Sequence, residues 1–73
     1  MELAAQMFLK IIKARIASCK SSIEHANEQI EKARTDFSEG YWNAIAAIQR
    51  IIVEDLEKSL ELNKDFVERT ENE

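Results

Sequence analysis

The side chains equipped for metal or covalent chemistry are gathered in one stretch: Cys19, Glu24, His25, Glu28 and Glu31. A di-metal carboxylate bundle needs inward glutamates and a Glu-x-x-His step, which sets both ligands on one helix face. Ser22 stands three positions before His25, so that step is missing. Glu24, His25 and Glu28 also fall outside the apolar stripe of their helix and are expected at the solvent. A single cysteine forms neither an intrachain disulfide nor a thiolate metal site. Cys19 falls on the stripe, where it packs as a small apolar residue. Ser18, Ser21, Ser22 and Ser38 have no histidine placed to activate them, and no glycine-rich phosphate loop is present. These residues predict no catalytic site, no bound metal and no cofactor.

A second chemistry to weigh is phosphate binding. Lys10, Lys13, Arg15 and Lys20 occur with no acid between Glu2 and Glu24. On a wheel of 100° per residue, Lys10, Lys13 and Lys20 lie within about 80° of one another and could track a nucleic-acid backbone. The overall charge of −4 argues the other way. Acidic residues Glu54, Asp55, Glu57, Glu61 and Asp65 fall beside the basic segment once the chain is folded back on itself, so charge pairing between helices accounts for both.

The elements that carry these residues are set by two apolar stripes. Ala5, Leu9, Ile12, Ile16, Cys19, Ile23, Ala26, Ile30, Ala33 and Phe37 repeat at alternating steps of four and three, a coiled-coil spacing. Tyr41, Ile45, Ile48, Ile52, Leu56, Leu60 and Val67 come after the only glycine. With no proline and mostly helix-forming residues, the chain is expected to be all-α. The reading is one domain over residues 1–73: helix 1 at about 2–34, a turn at 35–38, helix 2 at about 39–67, and a frayed polar tail at 68–73. Ser38 is the expected N-cap of helix 2, with Phe37 and Trp42 as its hydrophobic staple; Asp36 with Glu39 is a competing capping box. So short a link makes the helices antiparallel neighbours. A single register then pairs Ala33 with Trp42, Ile30 with Ile45, Ile23 with Ile52 and Cys19 with Leu56. It sets Asn63 opposite Ile12, either as a polar group in the seam or turned to the rim with Leu62 or Phe66 in its place.

Both stripes are too wide for a hairpin. Ala4, Phe8 and Ile11 broaden the first to an arc of roughly 180–200°, and Ala44, Ile51 and Leu62 broaden the second. Leu3, Met7 and Phe8 also lie beside the polar end of helix 2. The expectation is an antiparallel two-helix hairpin that dimerises into a four-helix bundle, with Leu3, Met7, Phe8, Ile11, Ile51, Leu62 and Phe66 as its association surface. The partner is a second copy, with another protein as a further candidate.

That architecture is similar to the plasmid-encoded RNA-binding protein Rop, also a short antiparallel hairpin, with no residue motif in common. The resemblance implies an alternative: RNA or DNA binding by the bundle through Lys10, Lys13 and Lys20. The turn of the small secreted WxG hairpins is not met by Gly40-Tyr41-Trp42. The opening ten residues are too short and polar to span a bilayer and lack the order of a secretory signal. A non-catalytic interaction or assembly protein of the cytoplasm, without membrane contact, is the expected role.

Overall fold

A computed structural model describes residues 2–72 and contains three helices, α1 (Glu2–Lys32), α2 (Asp36–Leu62) and α3 (Lys64–Glu71), with no strand among the described residues. The described residues are 93% helical. Its extents, 51 × 18 × 14 Å, are those of one long helix with another laid beside it.

Cross-helix pairs show the two long helices to be antiparallel. Lys20 Nζ reaches Glu57 Oε2 at 3.3 Å, and seven residues further along α1, Asn27 Oδ1 accepts from Arg50, seven residues back along α2. On the opposite flank, the rings of His25 and Trp42 meet edge to face at 5.4 Å. Between these flanks runs the seam. Its buried members are Leu9, Cys19, Ala26, Ala46 and Val53, joined at the far end by Thr70.

The stripe expected on α1 is the one that faces α2: Ala5, Leu9, Ile12, Ile16, Cys19, Ile23, Ala26, Ile30 and Ala33 are buried or half-buried. Phe37 is not; it is 84% exposed. On α2 the stripe is rotated. Tyr41 and Ile48 are exposed, whereas Trp42, Ala46, Gln49, Val53, Leu56 and Leu60 turn inward, with Ile45 and Ile52 half-buried at one edge. The register moves with it. Midway between the flank pairs, Cys19 lies level with Val53, Ala26 with Ala46 and Ile30 with Trp42, about one helical turn from the expected pairing. At this register small residues lie level across the middle of the seam, Cys19 with Val53 and Ala26 with Ala46, which lets the two backbones approach there.

Three boundaries also differ from expectation. Helix 2 begins at Asp36, because Thr35 and not Ser38 is its N-cap: extended Thr35 (φ −132°, ψ 152°) accepts from the Ser38 N–H at 3.0 Å through its side chain. Phe37 therefore lies inside the first turn and makes no staple. Gly40 is likewise helical, with open space where a side chain would point. Second, the rod is interrupted at Asn63, which ends α2 before the expected Val67. The Asn63 amide donates to the Ser59 carbonyl at 2.8 Å, competing with the backbone ladder, and the backbone there departs to φ −110°, ψ 32°. The ladder resumes at once, since Val67 N–H donates to the Asn63 carbonyl. Third, the segment expected to fray is helical through Glu71. Thr70 lies on the continuation of the α2 seam, 6% exposed, its hydroxyl donating to the Phe66 carbonyl.

Two outcomes test these local assignments in urea unfolding. Thr35→Ala should lower stability by about 1 kcal/mol while Ser38→Ala leaves it nearly unchanged. Gly40→Ala should raise it by about 0.5–1 kcal/mol, since alanine loses less backbone entropy and meets nothing in the folded state.

Candidate association surface

Residues seven apart along each helix form rows, and the rows flanking the seam differ in chemistry. One flank is polar. Lys13, Lys20 and Asn27 face Arg50, Glu57 and Glu71 across it, and three cross-helix contacts bridge the two helices. Lys13 would lie nearest Lys64 in the common register; it extends instead to Glu71, at 2.7 Å. All four side chains of the two ion pairs are about half exposed, so each pair contributes at most about 1 kcal/mol, less in salt.

The other flank is open and largely apolar. Near the free ends, Phe8, Leu9 and Ile12 face Ser59, Leu60, Asn63, Phe66 and Val67 across a shallow groove of about 170 Å³. Farther toward the turn, Ser18, Ser21, Ser22 and His25 face Trp42, Ile45 and Gln49 across a wider cleft. Phe8 and Ser22 share a row on α1, as do Ile45, Ser59 and Phe66 on α2 and α3, so groove and cleft belong to the same side of the molecule. Next outward lie Ala4, Ile11, Ser18 and His25 on α1, and Tyr41, Ile48, Asp55 and Leu62 on α2, all exposed.

All seven residues expected to carry association are exposed: Leu3, Met7, Phe8, Ile11, Ile51, Leu62 and Phe66. The structure brings Phe8, Ile11, Leu62 and Phe66 to the open flank, while Leu3, Met7 and Ile51 belong to the outer faces of their helices. Sequence reasoning missed Tyr41 and Ile48, which it placed in the seam; their exposure at about half each adds them to the open flank. Asn63 takes neither expected place fully. It is exposed, caps its own helix and lines the groove, and Leu62 beside it is 76% exposed and does not fill the seam.

The other candidate chemistries find these places. Of the basic residues considered for phosphate, Lys13 and Lys20 are engaged by Glu71 and Glu57, and Lys10 is exposed without an ion pair among the described residues. Of the acids expected alongside, Glu57 forms a bridge; Glu71, from the supposed tail, forms the other. No group of three or more metal-ligating side chains converges among the described residues. Cys19 is a free, buried thiol, and His25 lies edge-on against Trp42. No described helix is long and apolar enough to cross a membrane. No protein-family model matches the chain, and no curated protein or solved structure shows significant similarity to it.

The polar flank contributes little to holding the helices together. Lys13→Ala and Lys20→Ala are each expected to shift the unfolding midpoint by an amount equivalent to less than about 1 kcal/mol, and the difference should shrink further at high salt.

Proposed function

We propose that this chain is a non-catalytic association module that pairs through its open flank, forming a four-helix bundle with a second copy of itself. The observation that carries this reading is the distribution of apolar surface. Among the described residues, ten large apolar side chains are exposed, and none is fully buried. Six of them, Phe8, Ile11, Tyr41, Ile48, Leu62 and Phe66, lie on the open flank. Burying one such side chain contributes about 1.5–3 kcal/mol, so a partner helix pair laid there would add substantially to what the seam provides. A small helical pair with so thin a core commonly owes its stability to oligomerisation. In the bundle each helix gains a second neighbour, which suits the wide apolar arcs of both.

The Rop-like alternative has less support. Two of its three lysines are held by glutamates, and the chain is acidic overall. Absence of RNA and DNA affinity at about 50 mM salt is the expected result of a binding titration, because phosphate contacts are strongest there.

Self-association is tested by replacing Phe8 and Ile11 together with glutamate. Neither side chain belongs to the buried seam, so the change acts on the flank. The double variant should sediment as monomer, or lose helicity at micromolar concentration where the parent chain is assembled. An assembly unchanged in mass and stability would reject this surface.

A further inference from the structure

Resting on that reading, the order of residues along the open flank defines how a second copy must lie. The flank has three zones. At the free ends, Ala4, Phe8 and Ile11 on α1 lie level with Leu62 and Phe66 on the other helices, and both sides are apolar. In the middle, Arg15 and Ser18 lie level with Asp55 and Ser59, and both sides are polar and exposed. Toward the turn, polar Ser22, His25 and Gln29 lie level with Ile52, Ile48, Ile45 and Tyr41. Arg15 and Asp55 form no ion pair with each other within the chain, nor with any other described residue.

We infer that two copies pack flank to flank with their turns at the same end, related by a twofold axis along the bundle, so that α1 of each lies on α2 of the other. This arrangement sets each zone on itself. Phe8 and Ile11 meet Leu62 and Phe66 of the second copy, and apolar surface covers apolar surface. Arg15 of each copy comes level with Asp55 of the other, so both charges gain a counterion, twice per dimer. At the turn end, Ile45, Ile48 and Ile52 of each copy lie level with Ser22, His25 and Gln29 of the other. All neighbouring helices remain antiparallel.

The inverted packing, with turns at opposite ends, exchanges the apolar contacts for others and fails on charge. It lays α1 on α1, so Phe8 and Ile11 fall against Gln29 and His25. It lays α2 on α2, so Leu62 and Phe66 fall against Ile48 and Ile45, but Asp55 of one copy approaches Asp55 of the other near the axis. Like charges facing across an interface oppose association.

Sedimentation and disulfide trapping separate the two levels of the claim. The parent chain should sediment as a dimer; a monomer at tens of micromolar would overturn self-association and this arrangement with it. Given a dimer, two single variants in a Cys19→Ala background are mixed and oxidised, and the products weighed by mass spectrometry. Ile11→Cys with Leu62→Cys should give the mixed covalent dimer as the main product. A main product from Ile11→Cys with His25→Cys, or no cross-link from either mixture, would overturn the arrangement while leaving dimerisation standing.

Charge reversal tests the same contact with Cys19 left in place. Arg15→Asp and Asp55→Arg should each weaken the dimer severalfold, by setting like charges against each other across the interface. Their equimolar mixture should restore it, because only the mixed dimer pairs opposite charges at both contacts. Failure of the mixture to exceed either variant alone would count against the proposed register.

Discussion

The thinness of the seam between α1 and α2 governs the rest of this structure. Cys19 and Ala26 on one helix lie level with Val53 and Ala46 on the other, all nearly inaccessible to water. Small side chains admit close approach of the backbones, but they also bring little apolar area into the contact. On α2, Ile45 and Ile52 lie half covered at its edge, and Ile48 and Tyr41 stand in solvent. The bare flank and the meagre core are therefore one fact seen from two sides.

The two flanks divide the work of specificity. On one, Lys20 with Glu57 and Asn27 with Arg50 bridge the helices in a common register. Their individual strength is small, and a polar surface of this kind resists further packing. On the other flank His25 meets Trp42 edge to face, and among the described residues no ion pair or side-chain hydrogen bond bridges the helices there. In the proposed dimer a layer is added on one side only, an arrangement that closes as a pair and does not build a fibre.

The helices and the face that α1 presents were legible in the sequence, because a three-four repeat of apolar residues has only one way to lie on a helix. The face of α2 was not. Weighting Ile45, Ile48 and Ile52 by hydrophobicity draws the stripe through the isoleucines, whereas the seam runs through Ala46 and Gln49, which score weakly, beside Trp42 and Val53. The alternation Trp42, Ala46, Gln49, Val53, Leu56, Leu60 carries the same three-four spacing and would have revealed it, had small and polar members been allowed. Local signals misled in a related way. Ser38 and Thr35 are both fair N-caps by type, and only the backbone geometry of Thr35 decides between them. Of the seven residues expected at an association surface, Phe8, Ile11, Leu62 and Phe66 come to the open flank, since they were identified by what the hairpin has no room for.

The break at Asn63 has a bearing on how the molecule comes apart. A continuous helix frays by unzipping from its end, each lost turn exposing the next. Here the last turn of α2 closes on its own bonds, with the Asn63 backbone N–H and amide both donating to Ser59, whatever the state of α3. Melting of Lys64–Glu71 therefore has a firebreak before it, and the paired rods can persist while their terminal segment opens and closes as a separate unit.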